Sequence, residues 1–147
     1  MDATSEWYWE GNVVDAVAQH LLLTGWRIVS KADTHSRERG EDIRATNATT
    51  TLIVEVKGYP SKIYRDPRKA GEPKRTNPSL QAQHWYSHAL LKVMRLQTEY
   101  SDAVVAMAFP DFPRYRALYE ETRSGLQKLD VVVFFVQENG RVTTQGM

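Results

Sequence analysis

Residues Thr51 to Gly58 read T-L-I-V-E-V-K-G, and this octapeptide decides the fold. Its apolar residues suit a strand. A strand places residues i and i+2 on one face, so Glu55 and Lys57 point one way while Leu52, Val54 and Val56 point the other. Desolvating an ion costs several kcal/mol, so two charges in the most apolar strand of a chain must meet something charged. Thirteen residues before Glu55 stands Asp42, in G-E-D-I-R-A from Gly40 to Ala45. Asp42 to Thr46 reads as the preceding strand, Asn47 to Thr50 as a polar turn, and Thr51 to Lys57 as the returning strand of a hairpin.

Outward from the hairpin the chain alternates helix and strand. Glu10 to Thr24 predicts an amphipathic helix with a stripe of Val13, Val14, Val17, Leu21 and Leu22, ended by Gly25. Trp26 to Val29 begins a first strand. Tyr59 to Asn77 is rich in Pro, Gly and basic residues and reads as a long loop, of the kind that is usually functional or disordered in a compact domain. Pro78 opens a second helix to about Gln97, with Leu80, Trp85, Ala89, Val93 and Leu96 expected inward. Ala103 to Phe109 is an apolar strand ended by Pro110, Tyr115 to Leu129 a third helix, and Val131 to Val136 a last strand. Val104, Val105, Phe109 and the run Val131 to Phe135 are expected in adjoining buried strands. The order αβββαβαβ implies an α/β domain with a mixed sheet flanked by helices.

The 147 residues suit a single domain spanning 1–147. Charged residues are 25% of the chain and hydrophobic ones 41%, a balance ordinary for a soluble protein. There is no cysteine, which excludes disulfides and thiolate zinc sites and fits a reducing, cytoplasmic location. Trp7, Glu10 and Asp15 interrupt any signal-peptide pattern, and no apolar run approaches the roughly 18 residues of a membrane span, so no membrane partner is expected.

A helix bearing an acid, a hairpin carrying G-x-D and then E-V-K, and a following helix with an early glutamine resemble the PD-(D/E)xK nuclease superfamily, of the Mrr-type and Holliday-junction-resolvase-like branch. The resemblance covers roughly residues 6–110. Glu41 stands where the motif name has proline, which makes Glu41 a competitor to Asp42. Ile43, which starts the apolar alternation, favours Asp42. The resemblance implies a restriction-endonuclease-like fold and a Mg2+-dependent endonuclease, with Mn2+ as a substitute metal. It implies that Asp42, Glu55 and the Val56 carbonyl bind the metal, and that Lys57 holds the attacking water or stabilises charge on the phosphorus. Such a set suits the chemistry, because phosphodiester hydrolysis needs a hard cation and magnesium prefers carboxylate oxygens. In the resolvase-like branch an acid of the first helix also reaches the metal. Glu10 is the candidate, one helical turn further from Gly25 than usual, with Glu6 and Asp15 as poorer ones. Gln81 lies where related nucleases carry a glutamine aimed at the site, and Gln83 is its alternative.

Lys62, Arg65, Arg68, Lys69, Lys74 and Arg75 face only Asp66 and Glu72 within fourteen residues, a local excess of four positive charges in a chain of net charge +1. Phosphate contacts from this segment would give affinity without sequence reading. Tyr59 and Tyr64 are candidates to stack on a base, and Lys74 for a second cation in the site. His84 and His88 have the i, i+4 spacing of a helical zinc site, but no third ligand accompanies them and they read as surface residues. Trp7, Tyr8 and Trp9 form either a staple for the first helix or a dimer contact.

The expected activity is hydrolysis of DNA phosphodiesters, in a defence or repair setting, with RNA an alternative substrate. Cutting two strands favours a homodimer. The competing expectations are a non-catalytic nucleic-acid-binding module that keeps the fold, or a protein-interaction subunit.

Overall fold

The hairpin expected from the sequence is the pivot of the sheet. In the computed structural model, which describes residues 5–32, 41–61 and 77–147, β2 (Ile43–Asn47) pairs antiparallel with β3 (Thr50–Val56). Asn47 opposes Thr50, so the connection is two residues long, and Ala48 takes the left-handed conformation at φ 51°. A positive φ at a two-residue turn matches the twist of the flanking strands.

Six strands lie in sequence order across one sheet. β1 (Arg27–Lys31) is antiparallel to β2, with a bulge between Ile28 and Ser30. β4 (Val104–Pro110) and β5 (Val131–Val136) run parallel to β3, and β6 (Val142–Gln145) returns antiparallel to β5. β6 was not expected, so the element order is one strand longer than αβββαβαβ. Gln137 to Arg141 closes its turn, where Gly140 sits at φ 87° and its N–H donates to the Gln137 carbonyl over 2.9 Å.

Both faces of the sheet are covered, which is why β3, β4 and β5 are apolar on both sides. α1 (Glu10–Leu23) packs Val13, Val14, Val17, Ala18 and Leu21 against Leu52, Val54 and Val56. Leu22, expected in this stripe, is exposed instead. α2 (Pro78–Glu99) and α3 (Pro113–Lys128) cover the other face around Ile53, Val105, Met107 and Phe109. Inward on α2 are Ala82, Tyr86, Ala89, Val93 and Leu96. Leu80 is 51% exposed and Trp85 half-buried, contrary to expectation. At 3.6 residues per turn Leu80 lies about 160° round the helix from Ala82, so the small and aromatic stripe, not the leucine, set the phase. No described helix is long and apolar enough to cross a membrane.

Candidate active site

The parallel strands β3, β4 and β5 end at one edge of the sheet, the side on which open α/β sheets carry their ligands. Glu55, Val56 and Lys57 lie at that end of β3. Ile43 opposes Val54 in the hairpin, so one step further the register brings Asp42 opposite Glu55, on the same face. The carboxyls do meet. Glu55 is only 9% exposed and within hydrogen-bonding reach of the Asp42 carboxyl. Burial first, and then the Asp42 hydrogen bond and charge, push the Glu55 carboxyl up to about 9, while Lys57 and Lys92 pull the other way. Two acids and two ammonium groups therefore share one field.

The backbone fixes one of the acids. Asp42 Oδ2 accepts the Val56 N–H at 2.7 Å, beyond the last ladder pair of the hairpin. Within a strand a residue's N–H and C=O project to the same side, so the Val56 carbonyl leaves β3 towards Asp42 too. On the opposite side the Lys57 N–H donates to the Ala108 carbonyl over 3.0 Å and holds the strand end against β4. The competitor Glu41 turns away: its Oε1 accepts from Arg44 Nη2 at 2.7 Å, and that bond holds its carboxyl below the usual range. Arg44 in turn lies over the Tyr100 ring, 4.7 Å from its centroid.

Glu10 is the first residue of α1, at the same edge. A Cβ on Gly58 would lie 2.7 Å from the Glu10 N, so α1 abuts the chain one residue past Lys57. Its charge is felt by the Tyr115 phenol, which burial keeps protonated far above its ordinary range. Among the described residues no group of three or more His, Cys, Asp or Glu gathers round one point. The two weaker alternatives are engaged elsewhere. Glu6 Oε1 accepts from the Ser61 hydroxyl at 2.9 Å, and Asp15 pairs with Lys31 at 2.8 Å on the surface.

Gln81 lies in the first turn of α2, with its Oε1 buried and lacking a hydrogen-bond partner among the described residues, whereas Gln83 Oε1 accepts from Arg114 Nη2 at 2.6 Å. A buried orphan acceptor is an acceptor that a ligand or water would complete. His84 and His88 are exposed. The half-buried Tyr59 ring stacks on Phe112 at 4.0 Å and meets Tyr115 edge-on at 5.5 Å. Trp7 stacks on the same Phe112 at 5.4 Å and Tyr8 meets it edge-on at 5.2 Å, so these two staple the start of α1 to α3. Lys62, Tyr64, Arg65, Arg68, Lys69, Lys74 and Arg75 lie outside the described residues.

Comparison with protein-family models, curated proteins and solved structures gave no match. The chemistry must be read from the side chains themselves. A buried Glu55 beside a half-buried Asp42, with a peptide carbonyl directed the same way, fits a hard divalent cation, whose charge would offset the burial and the Asp42 charge that now keep a proton on Glu55. Lys92 was missed in the sequence. It borders the inward stripe of α2, three residues after Ala89 and four before Leu96. A lysine at that border was the available signal.

Proposed function

We propose that this chain is a divergent PD-(D/E)xK nuclease: a restriction-endonuclease-like domain that hydrolyses DNA phosphodiesters with Mg2+, or Mn2+ in its place. The observation that carries the reading is the convergence of Asp42 and Glu55 at the C-terminal end of β3, beside Lys57 on the same face. Asp42, Glu55 and the Val56 carbonyl would hold the cation, with Glu10 the further acid closest to hand. The cation, when bound, supplies charge neutralisation on the phosphate and a more acidic water. Asp42 is oriented by the Val56 amide, which holds its carboxyl beside Glu55. Lys57 positions the attacking water or steadies charge on the phosphorus, and Lys92 balances the carboxyl pair from α2. Gln81 offers its Oε1, unbonded among the described residues, to a water or to Lys57.

The basic segment from Lys62 to Arg75 directly follows this strand in sequence and suits contact with the DNA backbone. A dimer would place two such sites on two strands.

The test is cleavage of supercoiled, linear, single-stranded and branched DNA with Mg2+ or Mn2+. Asp42→Ala and Lys57→Ala should each lose at least about 100-fold in rate, a typical cost of removing a group that stabilises transition-state charge. Glu41→Ala should cut as wild type does. If Asp42→Ala and Lys57→Ala nick as fast as the parent, the proposal fails. The Glu55 carboxyl, raised by burial so that it presents no second negative charge at neutral pH, favours the second reading, a binding module without catalysis. Calorimetric titration with Mn2+ separates the two, since that module needs no cation.

A further inference from the structure

Three consecutive residues past the end of β3 are each tied to a different element. The Lys57 N–H donates to Ala108 of β4 at 3.0 Å, the Gly58 carbonyl accepts from the Tyr115 hydroxyl of α3 at 2.7 Å, and the Tyr59 N–H donates to the Tyr8 carbonyl at 3.0 Å. Gly58 itself has no room for a side chain. A Cβ there would lie 2.6 Å from the Tyr8 carbonyl oxygen and 2.7 Å from the Glu10 N, both backbone atoms. Tyr115 is wholly buried, its ring 4.6 Å from that of Phe109 and 5.5 Å from that of Tyr59. Its hydroxyl is thus delivered from the core to one carbonyl.

We propose that Tyr115 and Gly58 form a clamp that positions Lys57. The inference rests on the nuclease reading for its kinetic consequence, but its structural content stands apart. β3 pairs with β2 only as far as Val54, and with β4 as far as Val56 and the Lys57 amide. Past the Lys57 amide, no described bond of the sheet holds the chain on the carbonyl side of the lysine. The Tyr115 hydroxyl fixes it from one side, and the α1 backbone lying against Gly58 fixes it from the other. Lysine has a flexible four-carbon stem, so a rigid Cα is what limits where its amine can reach. Misplacing a reacting group by 1 Å costs about 100-fold in rate, so a lost clamp should be visible in catalysis while folding survives. Tyr115 is a positioning residue: it touches neither substrate nor metal.

Tyr115→Phe keeps the ring and removes only the hydroxyl. It should lower kcat about tenfold with KM for DNA and affinity for Mn2+ unchanged. In a Lys57→Ala background the same change should cost nothing further, because a group acting through Lys57 has nothing left to act on. A loss that persists in that background, or no loss in the single variant, overturns the clamp. A second readout is independent of cleavage: the lysine side-chain NMR spectrum, with Lys57 assigned through Lys57→Arg. In Tyr115→Phe, and again in Gly58→Ala, the Lys57 resonance should shift or broaden while that of Lys92 stays in place. An unmoved Lys57 signal in the folded Tyr115→Phe variant also overturns it. Should the wild-type chain cut none of the DNA forms, the nuclease reading falls and the spectrum alone decides the clamp.

Discussion

At neutral pH Glu55 keeps a proton that a solvated glutamate has lost, and this gives the site a signature measurable without substrate. Its carboxyl titrates at about 9 in the fold against 4.5 in a free side chain, chiefly through burial and then through Asp42. The folded state therefore holds a proton that the unfolded chain releases. The stabilisation is complete below about pH 4.5 and is lost as pH rises through about 9. In EDTA, thermal unfolding of the wild type should show stability falling between those limits by up to about 1.4 kcal/mol per pH unit. Glu55→Gln should flatten that slope, and Mn2+ at about pH 8 should raise Tm for the wild type and not for the variant. Parallel curves for the two proteins would mean that the carboxyls do not share a field. Asp42 adds a separate expectation, because its Oδ2 satisfies the Val56 N–H. Asp42→Ala strands that amide and should cost about 1–3 kcal/mol, whereas Asp42→Asn keeps an acceptor and should stay close to wild-type stability while losing the cation. Equal stability of the two variants in denaturant titrations would remove the hydrogen bond from the account.

Among the elements, two glycines with equally open surroundings should respond in opposite directions. Gly125 lies in α3 with nothing within 4 Å of an added Cβ, and Gly140 has the same freedom but sits at φ 87° in the β5–β6 turn. Gly125→Ala should stabilise by about 0.5–1 kcal/mol through the unfolded chain, while Gly140→Ala forces a side chain into the left-handed region and should destabilise by at least about 1 kcal/mol. Urea midpoints that move the same way for both would contradict the backbone assignment. The turn also shows where sequence reading stopped short. Asn139-Gly140 after an apolar strand is a strong hairpin signal, yet Val142 to Gln145 is four residues long and uniformly half-buried, with no alternation to mark a strand. The β2–β3 hairpin was legible because a period of two leaves no freedom: once Leu52, Val54 and Val56 face inward on one side, Glu55 and Lys57 must share the other. On α2 the expected inward Ala89, Val93 and Leu96 are buried, but in the first two turns bulky Leu80 and Trp85 carried more weight than Ala82 and Tyr86, which are the residues that face the sheet. Lys92 depends on that phase, and the Tyr115–Gly58 contact joins residues 57 apart in sequence, so neither was within reach of local pattern.

Taken whole, the molecule's charge concentrates the proposed affinity for DNA in one segment. A total of +1 with a local +4 from Lys62 to Arg75 leaves −3 for the rest of the chain. The described surface adds to the contrast, since several of its cations are already matched: Arg44 by Glu41, Lys31 by Asp15, Arg116 by Asp111 and Arg123 by Glu120. Backbone contacts release counterions, and each neutralised phosphate steepens the fall of log K against log salt by about 0.9. Replacing Lys62, Arg65, Arg68, Lys69, Lys74 and Arg75 together by serine should therefore flatten the salt dependence by several such steps and weaken binding of every DNA sequence alike. All six replaced side chains are cations rather than core-type residues, so Tm should hardly move. Cleavage in the variant should fall through KM, with kcat retained at saturating DNA, because the carboxyl pair and Lys57 are untouched. A fluorescence anisotropy series from about 50 to 200 mM salt decides it. An unchanged slope would place the DNA on another face of the sheet, and would separate the cutting site from the surface that holds its substrate.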